Sequence, residues 1–169
     1  MTRYNGQNAG SLVRLNPDGT RDVTFARDVG FNADAPVVEA LASAADGTDD
    51  FYVGGRMPLL RLKASGAGDP SFESASSGLV LAIAPAQDGT GDVLVSRVNG
   101  LSRLSRTGAS VSTFREPGVD GVIYTVVPVL DGTRDFYIGG GIKTYNGVAV
   151  NHFARIHADG TLASVVSGP

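Results

Sequence analysis

The stretch Asn16-Pro17-Asp18-Gly19-Thr20-Arg21-Asp22 puts oxygen-bearing side chains at its first, third and seventh positions. That spacing resembles the start of a calcium loop, in which a hard cation gathers carboxylate and carbonyl oxygens. It equally describes a β-turn whose Asn and Asp side chains hold local backbone N–H groups. Related stretches favour the turn. Ser65-Gly66-Ala67-Gly68-Asp69 and Arg106-Thr107-Gly108 lack carboxylates at matching places, and no bidentate Glu stands at the twelfth position.

Other polar residues recur in the same way. Asp46, Asp49 and Asp50 form an acidic cluster, expected to be solvated turn residues. Asp50, Asp92 and Asp135 recur at the starts of apolar runs, and a carboxylate repeated in every unit reads as a structural cap. Arg14, Arg61, Arg103 and Arg155 recur too. They could form a basic ring for an anion, but the negative net charge favours stems packed on a sheet and heads paired with Asp. The only histidines are His152 and His157. Placed five apart on one strand they would point to opposite faces, so they could not share a metal. With no cysteine, disulfides, thiolate metal sites and cysteine nucleophiles are excluded. No paired acids, triad or metal cluster assembles from these motifs. No catalytic, cofactor-binding or metal-ligating residue is assigned, binding residues are left unknown, and the chain is read as not an enzyme.

The elements that carry these residues repeat. Each Arg is followed by Leu or Ile, and then by Gly19, Gly66, Gly108 or Gly160; an apolar residue (Phe25, Phe72, Phe114 or Val166) comes six residues later. Ahead of this frame come Asp46-Gly47-Thr48, Asp88-Gly89-Thr90 and Asp131-Gly132-Thr133, each between alternating apolar runs. That is a hairpin signal, because glycine accepts positive φ without steric cost. Val37–Ala42, Leu79–Ala84 and Val122–Val127 supply one more strand before each turn. Period-2 alternation fits throughout, and no amphipathic helix emerges. Gly54-Gly55 and Gly139-Gly140 read as close backbone approaches or bulges.

A unit of 40–50 residues with four short strands is the pattern of a β-propeller blade. A lone four-stranded sheet leaves both faces wet, so neighbouring blades must stack. The fold is therefore expected to be all-β, with antiparallel four-stranded blades. A half-unit spans 1–36, and repeats follow at about 37–75, 79–117 and 122–169. Tyr4-Asn5-Gly6 in the half-unit matches Tyr145-Asn146-Gly147 in the last repeat. Both are turns, and an exposed Tyr there, with Phe31 and Asn32, could also make a sugar- or protein-contact surface. Three and a half blades suggest an open arc, part of a larger propeller, or a self-associating module, since uncovered sheet edges are sticky.

YNG, RLNPDGTRDVTF and DGTRDFYIGGG together resemble the bacterial delta-60 repeat, a β-propeller-type repeat of large secreted or surface proteins. The likeness is clearest at 4–25 and 131–160. It fades in the middle, where Ser96-Arg97 replaces the double glycine and Val111 the Asp before the Phe. The kelch repeat shares the double glycine but calls for a Trp, and the chain has none. The resemblance implies a propeller and brings no catalytic motif.

Composition narrows the partners. The 169 residues are 42% hydrophobic and carry a net charge of −3, enough for a real core and too acidic for nucleic acid or an anionic membrane. No run approaches the length of a membrane-spanning helix, so no membrane insertion is expected, and MTRYNGQNAG lacks the apolar core of a signal peptide. The expectation is a structural or adhesion module that joins other protein chains on a bacterial surface, in a secreted protein or on a phage particle. The alternative is a small-ligand or glycan-binding propeller, with its site on a loop face made by 26–36 and 141–150.

Overall fold

The computed structural model describes residues 3–25, 37–75, 77–98 and 100–165. The described residues contain no helix and fifteen strands. In unit one, β1 (Arg3–Tyr4) and β2 (Gln7–Asn8) form a hairpin. Unit two holds β3 (Val38–Ser43), β4 (Phe51–Gly55) and β5 (Met57–Leu62), and unit three β6 (Val80–Pro85), β7 (Val93–Arg97) and β8 (Gly100–Leu104). Unit four holds β9 (Val119–Asp120), β10 (Ile123–Pro128), β11 (Phe136–Gly140), β12 (Thr144–Tyr145), β13 (Val148–Ala149), β14 (Phe153–Ile156) and β15 (Leu162–Val165). The main sheets are β3-β4-β5, β6-β7-β8 and β10-β11-β14-β15, all antiparallel and none closed on itself. This is an open, partial β-propeller.

Four strands per blade hold only for the last sheet. In units two and three the fourth strand shrinks to single bridges, Leu62 with Gly68 and Leu104 with Ser110. The chain then turns so that Phe72 and Phe114 tuck inward. Asp69 makes the turn in unit two, accepting from the Ser71 backbone and hydroxyl, and Pro70 offers no N–H to a ladder. In unit four, Thr161-Leu162-Ala163-Ser164-Val165 has no such break and stays extended. Val166, expected to match the phenylalanines, lies outside the described residues.

The same irregularity opens each sheet. The register between first and second strands shifts at Val38/Ala40, Val80/Ala82 and Ile123/Thr125. The double glycines sit at this bulge, with one job each. A Cβ on Gly55 would lie 2.0 Å from the Val37 carbonyl oxygen, and one on Gly140 would lie 2.1 Å from that of Val122. A Cβ on Gly54 would lie 2.4 Å from Cγ1 of Val80, in the next unit. The second glycine admits the bulge and the first admits the neighbouring blade. In unit three, Ser96 fills the first position, and its buried hydroxyl donates to the Ile123 carbonyl of unit four at 2.9 Å.

The core lies between sheets, not within them. Leu12 and Phe25 pack on Val53 and Leu62 at the first joint. Tyr52 and Leu59 meet Val80, Ile83, Val95 and Leu104 at the second. Leu94, Leu101 and Phe114 meet Ile123, Val126, Phe136, Ile138 and Ile156 at the third. Strand alternation sends odd and even residues of each second strand to opposite joints.

Candidate functional site

The recurring Arg and Asp residues come together as one device. In units two, three and four, the Asp of the Asp-Gly-Thr turn uses one oxygen on its own turn. Oδ1 of Asp46, Asp88 and Asp131 accepts from the backbone and hydroxyl of Thr48, Thr90 and Thr133. Its other oxygen faces the arginine of the third strand: Arg61 Nη2 to Asp46 is 2.6 Å, Arg103 to Asp88 2.6 Å, and Arg155 to Asp131 2.9 Å. The Asp at the start of the second strand completes the clamp, as Arg155 Nε shows at 2.7 Å from Asp135. Each clamp thus ties the first turn of a sheet to its third strand.

The Arg61 clamp is the most enclosed. Its side chain is 3% exposed, and Asp69 adds a third carboxylate at 3.2 Å, with Lys63 balancing the charge from the rim. Burial alone would raise the Asp46 pKa. The Thr48 hydroxyl and Arg61 outweigh that and hold the carboxyl at about 2. Asp131, bonded by Thr133 and Arg155, is also held at about 2. The carboxylates raise the Arg61 pKa despite its burial. The acidic cluster is therefore not a set of solvated turn residues: Asp50 is buried in the clamp, and only Asp49 stays outside it. Nor do the arginines form an anion ring, since each guanidinium faces carboxylates of its own unit.

Three of the four arginines also reach forward. Arg14 Nη1 donates to the Ala64 carbonyl at 2.5 Å, Arg61 Nη1 to Arg106 at 3.5 Å and Arg103 Nη1 to Ala158 at 3.0 Å. Every acceptor stands two residues before the turn glycine of the next unit. The clamp is thus also a staple between blades, a role that the Arg spacing alone did not reveal. Where the chain leaves a unit, Glu73 N–H donates to Thr107 and Arg115 N–H to Asp159, which seals the same joints.

The Asn16–Asp22 turn spends its oxygens locally. Asp18 accepts from the Thr20 backbone and hydroxyl, and Asp22 from Thr24 and Arg14. Among the described residues no group of three or more His, Asp or Glu is arranged to hold a metal. His152 does not sit in a strand as expected: it takes a left-handed φ of 72° in the turn before β14. His157 bonds Asp135 through Nδ1 at 3.0 Å. Both YNG segments are hairpin turns with positive φ at Asn and Gly, which matches strand twist. The expected exposed Tyr145 is in fact buried, and its hydroxyl donates to the Gly160 carbonyl at 2.5 Å. Tyr4 does the same to Gly19 at 2.7 Å. The 141–150 insertion therefore forms packed structure, the small sheet β13-β12-β9, rather than a loop rim. Phe31, Asn32 and the 26–36 insertion lie outside the described residues. A groove of about 580 Å³ lined by Arg56, Met57, Pro58, Gly78 and Leu79 is mostly apolar. Its one cation, Arg56, leans on Glu39.

The most distinctive surface is the far face of unit four. Val127, Tyr137 and Arg155 pair across β10, β11 and β14, and Phe153 lies two residues before Arg155 on the same face. The matching residues of unit two are Ala42, Tyr52, Arg61 and Leu59, and those of unit three Ala84, Leu94, Arg103 and Leu101. Leu59 and Leu101 are each 1% exposed beneath the next blade, whereas Phe153 is 39% exposed and stacks on Tyr137 at 5.3 Å. Sequence reading identified the repeat but not this face, because Phe153 fits the pattern as well as its buried counterparts do.

Residues 1–25 and 137–162 match a family model described as a domain of unknown function (DUF5122) beta-propeller. The matched segments include both YNG hairpins and the first and last arginines of the series. No curated protein matches the chain. The match and the sheets agree on a β-propeller-type repeat, which suggests a protein-interaction module.

Proposed function

We infer that the chain is a non-enzymatic assembly module that joins protein chains by the contact that joins its own blades. One observation carries this reading: the far face of unit four keeps the side-chain pattern that units two and three bury against a following blade. An exposed apolar patch of Val127, Tyr137 and Phe153, with an arginine beside it, has the make-up of an interface core. The setting we propose is a bacterial surface, a secreted protein or a phage particle. Its support is the resemblance to delta-60 repeats.

Sedimentation velocity of the purified chain and two variants tests the reading. Phe153→Asp charges the far face, and Val13→Asp charges the half-buried edge of unit one. Both variants are expected to keep the wild-type far-UV spectrum and to lose the wild-type assemblies. Two folded variants that assemble like wild type would end the proposal.

A further inference from the structure

Unit four folds a strap over the segment by which the chain enters it. Gly141 and Ile142, at the start of the insertion, lie on Gly121: a Cβ there would be 2.2 Å from the Gly141 carbonyl oxygen and 3.1 Å from the Ile142 Cα. Thr144 and Tyr145 of β12 then pair with Asp120 and Val119 of β9, so the entering segment gains a strand alongside it. The strap brings apolar side chains with it, and Ile142 and Tyr145 are fully buried.

Unit three has the same entry over different ground. Val80 begins its first strand opposite Arg97, as Ile123 begins that of unit four opposite Gly140. Gly78 therefore stands where unit four has Gly121, and both take positive φ, 96° and 116°. A Cβ on Gly78 would meet nothing within 4 Å. A cleft of about 290 Å³ lies between Ser77, Gly78 and Leu79 on one side and Arg97 and Val98 on the other, at the place that Gly141 and Ile142 fill in unit four. The apolar groove of Arg56, Met57 and Pro58 shares Gly78 and Leu79 with this cleft, so the two adjoin across the joint of units two and three. Two guanidiniums rim them. Arg97 occupies the position of Gly55 and Gly140, and its described partners are neutral: Nη2 donates to the buried Ser102 hydroxyl and Nη1 to the Ser77 carbonyl at 3.5 Å. Arg56, 71% exposed, meets Glu39 at 3.5 Å, an exposed pair of little energy.

We propose that the cleft and the groove form one docking site for an extended acidic segment of a partner protein, which lies beside residues 77–79 as the strap lies beside β9. An apolar side chain of the segment rests on Met57, Pro58 and Leu79, and carboxylates on either side of it meet Arg56 and Arg97. Alternate residues of an extended chain face one way, so the matching pattern is an acid, an apolar residue and an acid at every second position. Charge-assisted pairs to two fixed guanidiniums set the direction and register of the segment. The site goes beyond the assembly reading and does not rest on it, since it uses the joint of units two and three rather than the far face of unit four.

The test is fluorescence anisotropy of a labelled peptide, Glu-Ser-Leu-Ser-Glu, titrated with the intact chain. Saturable one-to-one binding is expected, about tenfold weaker for Gln-Ser-Leu-Ser-Gln, the scale of a lost charge-assisted contact. Arg56→Gln, at an exposed position that the fold does not need, should weaken the acidic peptide by a similar factor, and Arg97→Gln should do the same with an unchanged far-UV spectrum. Glu39→Gln should tighten binding, because Glu39 competes for Arg56. Arg134→Gln, which removes an exposed charge at the Asp-Gly-Thr turn of unit four, should change nothing. No saturable binding, equal binding of the two peptides, or an equal loss in Arg134→Gln would overturn the site. Binding of trigalacturonate where the acidic peptide fails would make it a site for an acidic glycan and overturn the partner assignment. Phe153→Asp should leave peptide binding intact, so a chain that assembles but binds no peptide ends this proposal alone.

Discussion

Arg61 shows how one side chain can hold a repeat together. It is buried with Asp46, Asp50 and Asp69, and its guanidinium lies over the Tyr52 ring at 5.8 Å. Replacing it by Met would leave three carboxylates buried with only the rim lysine for balance. Removing one partner of a buried pair costs about 3–5 kcal/mol, because the desolvated charge left behind has no counterpart. Urea unfolding of Arg61→Met should show a loss of that size, and Arg155→Met a smaller one, since its partner Asp131 is half exposed. The sign of the pH effect follows from Asp46. Its folded pKa, about 2, lies below its ordinary 3.8, so the charged carboxyl favours the fold. That contribution is complete above about pH 4 and is lost as the pH falls through about 2. The urea midpoint should drop over that window in wild type and drop less in Arg61→Met. An equal drop in both proteins would remove the clamp as the cause.

At the scale of the element, the strand pattern and Asp-Gly turns were legible because alternation and positive-φ turn chemistry are local. The double glycine was legible as a close approach, but which glycine met which neighbour was not, because the partner of Gly54 is Val80 of another sheet. The fate of the fourth strands was hidden for a similar reason. Asp69-Pro70 and the Phe72 it delivers to the joint act through side-chain capping and packing, which periodicity does not register. The glycine contact makes a direct prediction. Gly54→Ala should overpack the joint against the stiff Val80 side chain and cost about 1–3 kcal/mol. Adding Val80→Ala should recover part of that loss, so the two changes will not be additive in chemical denaturation. Strict additivity would mean that the two blades do not meet as described.

Across the whole molecule, three joints repeat one chemistry: an apolar face, a clamped arginine and a staple to the next turn. Repeat counting made the propeller architecture legible. It could not show the far face of unit four, because exposure depends on what stacks above a residue and not on its own position in the pattern. Arrays of this kind are stabilised by nearest-neighbour contacts, so an uncovered joint face costs more than a missing loop. The central claim is that such a face is made for another chain. Light scattering over a concentration series, with the 17.4 kDa chain mass as reference, tests it most directly. The account predicts a mass that rises above that of the single chain to a defined multiple as concentration increases. A folded chain that holds the single-chain mass at every concentration would contradict it.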